Sequence, residues 1–115
     1  MGVFDSVSSV ALSSALDGLA LRQRAIADNV ANLQTPGYHA RVVEFEGALA
    51  SAVRDGDGAA RATLSRSDAA TREDGNNVNL DEQTLLNVET NLRYQLASQA
   101  VTGTFSSVRA AMRTS

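Results

Sequence analysis

The sequence predicts an all-α fold: two long amphipathic N- and C-terminal helices, packing as an antiparallel coiled-coil-like hairpin around an irregular, partly extended middle segment. Three observations predict it. Leu12, Leu16, Leu19, Ile26, Val30 and Leu33 recur at a 4-3-7-4-3 spacing with Gln23 at the vacant seam position, which is the heptad rhythm of a coiled coil. A second apolar periodicity fills Leu80 to Arg113. The residues between carry neither rhythm, and their Gly, Ser, Asp and Arg content marks turns and loop.

The first helix is expected from about Ser6 to Gln34, within an N-terminal segment 1–35. Asp5 or Ser6 supplies an oxygen to cap its start. At 1.5 Å per residue it would be about 40 Å long, more than a compact domain of this size can cover. Pro36 pushes Thr35 toward an extended conformation, and Gly37 can take the left-handed conformation of a sharp exit. Asn29 and Asn32, at i and i+3, lie on nearly one helix face, where their amides can donate and accept together.

The middle segment, 36–78, is read as a possible short helix at 44–54 followed by a flexible loop at 55–75. The C-terminal segment, 79–115, begins where Asn79 stands at an N-cap position with Glu82 three residues on and Asp81 in the first turn. Leu85, Val88, Leu92 and Leu96 form one stripe of this helix, and Tyr94, Val101, Phe105, Val108 and Met112 a second, rotated slightly. Leu85, Leu92, Leu96, Val101 and Phe105 are expected to pack on Leu16, Leu19, Ile26, Val30 and Leu33. Gly103 suggests a bend or a close helix contact, and Arg109 and Arg113 suit the negative end of the helix dipole.

Composition narrows function. The chain has 115 residues, one domain at most, and its 43% hydrophobic residues include only three Phe, two Tyr and no Trp. Large anchors for a self-sufficient core are therefore scarce. Net charge is −3 and the ten basic residues, all arginine, are scattered singly, so no basic stripe offers itself to nucleic acid. Without cysteine there is no disulfide, thiolate or cysteine metal site. His39, the single histidine, lacks companions at ligand spacing and reads as a loop residue. Asp55 and Asp57 alternate as in a calcium loop, but Ala59 and Arg66 occupy ligand positions. No catalytic set or cofactor is expected. The amino terminus lacks the basic and apolar regions of a cleavable signal peptide, no stretch is long and apolar enough to span a membrane directly, and the Gly2 and Ser6 match to a myristoylation pattern is too short to carry weight. Two helices with apolar seams and few other large side chains leave surface to cover, so the residues point to an assembly protein, with a small coiled-coil adaptor or regulatory protein binding one soluble helical partner as the alternative.

The stretch "ALDGLALRQRAIADNVANLQTPGYHARVVEFE" resembles the N-terminal signature of the bacterial flagellar axial proteins, the rod and hook family. The matching positions are Asn29, Ala31, Asn32, Thr35, Pro36, Gly37 and Tyr38, with Phe45 in the segment that follows. A second stretch, "DGNNVNLDEQ", places Asp74, Gly75, Asn76, Asn77, Val78 and Leu80, and leads into "NLRYQLASQAVTGTF" with Leu92, Tyr94 and Phe105. This half is similar to the short proximal-rod members. The resemblance implies a structural subunit of the basal-body rod that packs with copies of itself and other flagellar rod subunits through its terminal helices and transmits torque. It implies a periplasmic location, contact with the inner-membrane ring and rod-base adaptor, and passage through the flagellar type III export apparatus without a cleavable signal peptide. It also implies that the sharp exit at Thr35–Tyr38 leads into a segment touching neighbouring subunits, and Asn29 and Asn32 are read as making interface hydrogen bonds. Gly47 to Arg72 matches nothing in the family, and Gln83 stands where a second acidic residue is more usual.

Overall fold

A computed structural model describes residues 6–113; Gly2 and Asp5 lie outside them. The chain is elongated, 66 × 26 × 15 Å, and its elements in order are α1 (Val7–Ala31), β1 (Arg41–Glu44), α2 (Glu46–Arg54), β2 (Thr63–Arg66) and α3 (Leu80–Arg113). Helix dominates, as expected, with long elements toward both ends.

Ser6 is the cap of α1: its extended backbone and its Oγ, which accepts from the Ser9 amide at 3.1 Å, satisfy a donor that the first turn leaves open. The helix stops at Ala31, earlier than the apolar spacing suggests. A run of tight turns follows, with the amides of Leu33, Thr35 and Tyr38 bonded to the carbonyls of Val30, Asn32 and Thr35. Gly37 has φ +75°, the left-handed conformation expected of it.

The middle segment departs from expectation. β1 and β2 pair antiparallel, Arg41 opposite Arg66 and Glu44 opposite Thr63, so the fold is not purely α. Four-residue strands leave too little alternation to announce themselves, and their pairing partners are far apart in sequence. The short helix begins at Glu46 rather than Glu44, because Glu44 is held in the strand and Phe45 turns into the core. Residues 55–75, read as a flexible loop, are hydrogen-bonded into the fold. Gly58, φ +76°, is buried against α1, where a Cβ would fall 2.7 Å from the Val7 carbonyl oxygen. Ser14 Oγ donates to the Gly58 carbonyl at 3.2 Å and accepts from the Ala60 amide at 3.1 Å.

α1 therefore has two working faces. Leu12, Leu16 and Ile26 look toward α3, as the heptads suggest. A second heptad row, Ala11, Ala15, Gly18, Arg22, Ala25 and Asn29, carries the β1–α2–β2 excursion. At its centre a Cβ added to Gly18 would lie 2.5 Å from the Phe45 ring, so glycine makes the pocket that Phe45 fills. Leu19, Ala25, Val43 and Phe45 form the core there, with Leu49, Tyr94 and Ala97 packed around it.

α3 starts as expected, with Asn79 Oδ1 accepting from the Glu82 amide at 3.1 Å. Its contact with α1 differs from expectation. The residues that are covered include Gln83, Leu86, Thr90, Tyr94, Ala97 and Val101, a row that mixes polar, small and apolar side chains. Leu85, Val88, Leu92 and Leu96 point the other way and are 55–70% exposed. At 100° per residue the two rows lie on nearly opposite sides of the helix. On the covered side Gln83 meets Asn29, and Tyr94 and Ala97 pack against the core. A Cβ on Gly103 meets nothing within 4 Å, so the close contact expected there is not made.

Candidate assembly interface

The end of α1, the start of β1 and the approach to α3 meet, and asparagine amides join them. Asn29 is fully buried. Its Oδ1 accepts from the Arg41 amide at 2.8 Å and from Tyr38 Oη at 3.2 Å. Its Nδ2 donates to the Arg41 carbonyl at 3.0 Å and to Gln83 Oε1 at 3.0 Å. An amide presents the same donor–acceptor pair as a peptide unit, so Asn29 pairs with Arg41 as a neighbouring strand would. Its four bonding positions are all filled inside the chain. Asn29 is thus a group that closes the fold, correcting the expectation of a bond to a neighbouring subunit. Asn32 likewise bonds locally, donating to the Asp28 carbonyl at 2.8 Å and accepting from Thr35 Oγ1 at 3.0 Å.

The second motif locks onto the first. Asp74 accepts the Asn76 amide on Oδ1 at 3.0 Å, and its carbonyl accepts from the Gly37 amide at 2.8 Å. Gly75, φ +82°, lies against Gly37, with only 3.3 Å from a would-be Cβ to the Gly37 Cα. Asn76, also fully buried, donates to the carbonyls of Asn32 and Thr35, both at 2.9 Å. Each of those carbonyls also accepts a turn amide, from Thr35 and Tyr38. Arg72 donates to the Leu33 and Val78 carbonyls. Asn77 Oδ1 accepts from the Ala40 amide at 2.6 Å, while its Nδ2 donates to the Ser67 and Ala69 carbonyls. Val78 is buried beneath. Side chains from more than forty residues downstream thus hold the turns that follow α1.

Arg22 joins α1 to the excursion. Its guanidinium pairs with Glu46 in a two-bonded fork, 2.6 and 2.8 Å, donates to the Val43 carbonyl at 2.7 Å and lies 4.9 Å from the Phe45 ring centroid. Hydrogen bonding to Arg22 holds the Glu46 carboxyl at a pKa of about 2, against the opposing effect of burial. Arg93 of α3 reaches the same carboxylate at 3.2 Å and Glu89 at 2.6 Å. Arg22, Gly18 and Glu46 escaped the sequence reading. The signal that could have found them is the heptad row of small residues on α1, which a search for large apolar side chains passes over.

The other sequence-chosen residues are spread out. Thr35, Pro36 and Gly37 form an exposed turn, whereas Phe45 is core. Tyr94 is half-buried on the α1 side, and Leu80 and Leu92 are exposed on α3. Phe105, half exposed, borders a cleft of about 200 Å³ with Leu12, Leu16 and Val101. Rising numbers on α1 meet falling numbers on α3: Leu12 lies near Phe105, Gln23 donates to Asn91 at 2.8 Å, and Asn29 donates to Gln83. Among the described residues no group of three or more His, Cys, Asp or Glu could hold a metal ion, and no helix is long and apolar enough to cross a membrane.

Comparison with known proteins bears on the same segment. The family profile "Flagella basal body rod protein" matches residues 11–39, the length of α1 that carries both working faces plus the turn. A curated relative, the flagellar basal body rod protein FlgB of Bacillus subtilis (strain 168), is 26% identical over 113 residues, covering 85% of this chain and 87% of that protein. Over these stretches the chain is similar to flagellar basal-body rod proteins.

Proposed function

We propose that this chain is a structural subunit of the proximal flagellar rod, assembling with copies of itself and other rod subunits into the shaft that transmits torque for motility. The observation that carries this is the row Leu85, Val88, Leu92 and Leu96, turned away from α1 and 55–70% exposed. Four large aliphatic side chains in one helical row are a surface for another helix; burying each contributes about 1.5–3 kcal/mol. In this reading α1 and α3 work as an antiparallel coiled-coil-like hairpin, the asparagine junction at residues 29–41 and 72–79 holds its connected end, and Leu80, Leu92 and Phe105 reach neighbours. Segments 1–35 and 79–115 then form the shaft and 36–78 a small lateral unit. The location is the periplasmic rod, reached through the type III export apparatus, with the inner-membrane ring and its rod-base adaptor below.

The test is Leu92→Ser with Leu96→Ser. Both side chains are exposed, so the monomer should keep its helicity while rod assembly and swimming are lost. Normal swimming, or recovery of one stable soluble partner in place of rods, would remove the rod reading and favour an adaptor.

A further inference from the structure

We propose that the Arg41–Arg66 pair on the small sheet binds the Asp55–Asp57 turn of a second copy of this chain. The inference rests on the self-assembly reading above and names one contact within it. Arg41 and Arg66 are directly opposite in the β1–β2 register. The backbone N–H and C=O of Arg41 go to Asn29 and not across the sheet, which makes this the closer, non-hydrogen-bonded type of cross-strand pair, with Cα atoms about 4.5 Å apart. Like charges placed so destabilise a sheet. Both side chains are exposed, and among the described residues no ion pair reaches either. With His39, Tyr38 and Leu64 they border an open cleft of about 370 Å³. A concentrated positive site with its charge unanswered, in a chain of net charge −3, calls for carboxylates from outside.

The complement stands on the same chain. Asp55 closes α2, where the helix dipole adds negative potential, and Asp57 sits between Gly56 and Gly58, φ +81° and +76°. Both aspartates are exposed and unpaired among the described residues. Arg54 beside them turns to Ser51 Oγ at 3.1 Å. Bonds from Ser14 to Gly58 and Ala60 hold the turn against α1, so its two carboxylates are presented on a fixed frame. Within one molecule the sites cannot meet: Arg41 lies beside Asn29 and the turn beside Val7 and Ala11, roughly 30 Å apart at 1.5 Å per residue of α1. The contact therefore calls for a second copy set beside the first and shifted lengthwise by about that distance, along a molecule 66 Å long, with its turn on the first copy's arginines. The contact joins unlike surfaces, so it repeats from copy to copy and leaves the helices of neighbours overlapping by about half their length.

Sedimentation of the full chain over a range of concentration and salt tests this. Arg41→Glu with Arg66→Glu, and separately Asp55→Arg with Asp57→Arg, should each weaken self-association roughly tenfold at low salt and flatten its salt dependence, the scale set by two exposed charge pairs. Combining all four substitutions should restore association to near the wild-type level, with circular dichroism confirming unchanged helicity throughout. Association indifferent to these changes, weakening by the arginine pair alone, or no rescue by the charge swap would overturn this contact and leave the self-assembly reading standing. A wild type that stays monomeric at every concentration would overturn both.

Discussion

Replacing Asn29 by alanine isolates what the asparagine junction contributes. Four hydrogen bonds are lost, but the partners differ in what they can do next. Tyr38 is half-buried and its hydroxyl can turn to water, and Gln83 can rotate its amide. The Arg41 N–H and C=O have no such freedom: they are fixed by strand pairing and face the space that the amide leaves. An unsatisfied buried polar group costs about 1–3 kcal/mol, so two stranded backbone groups give about 3–5 kcal/mol once lost packing is included. That is a large share of the total stability of a chain this size, which is on the order of 5–15 kcal/mol. The control is Asn32→Ala, three residues on in the same motif, whose local and partly exposed bonds predict a loss of about 1 kcal/mol or less. Denaturant unfolding of both variants at one protein concentration measures the difference, and amide exchange at Arg41 locates it. Equal, small losses for the two variants would refute the reasoning, because Asn29 would then be an exchangeable surface amide and not the partner of a strand.

Glycine-to-alanine changes should divide by environment. Gly18→Ala should destabilise by about 1–2 kcal/mol despite better helix propensity, since its Cβ would meet the Phe45 ring at 2.5 Å, whereas Gly103→Ala, facing open space, should stabilise by about 0.5–1 kcal/mol; thermal melts read both. Glu46 should give an acid dependence: its folded pKa of about 2 lies below the ordinary 4.5, so the stability it adds is fully present above pH 4.5 and is lost as pH falls toward 2. Glu46→Gln should therefore lower stability at neutral pH, by about 1 kcal/mol given a carboxylate 45% exposed, and flatten that acid limb in pH-dependent unfolding. Gly37→Val should cost about 1–3 kcal/mol at φ +75° and abolish swimming with export retained; unimpaired motility would show that the turn tolerates any residue.

The sequence by itself determined the long helices, their start sites and their breaks. Ser6 and Asn79 cap where a polar oxygen precedes a periodic run, and Gly37, Gly56, Gly58 and Gly75 take the left-handed conformations that turn sequences announce. Those are local matters, settled within one helical turn of chain. It also held the two motifs whose resemblance led to the rod family. What it could not state was which face of each helix meets which neighbour. Leu85, Leu92 and Leu96 are the most apolar row of α3, and reasoning from hydrophobicity seats them against α1. The tertiary structure instead seats Gln83, Thr90 and Ala97 there, where Gln83 accepts from Asn29 and Ala97 packs on the core beside Phe45. Asn29 itself looked like half of a surface pair until Arg41 folded back onto it, twelve residues later in sequence. Capping and turn chemistry act over three or four residues and are written in order along the chain. Partner choice depends on hydrogen bonds between residues up to sixty-eight positions apart, and only the folded chain brings them together.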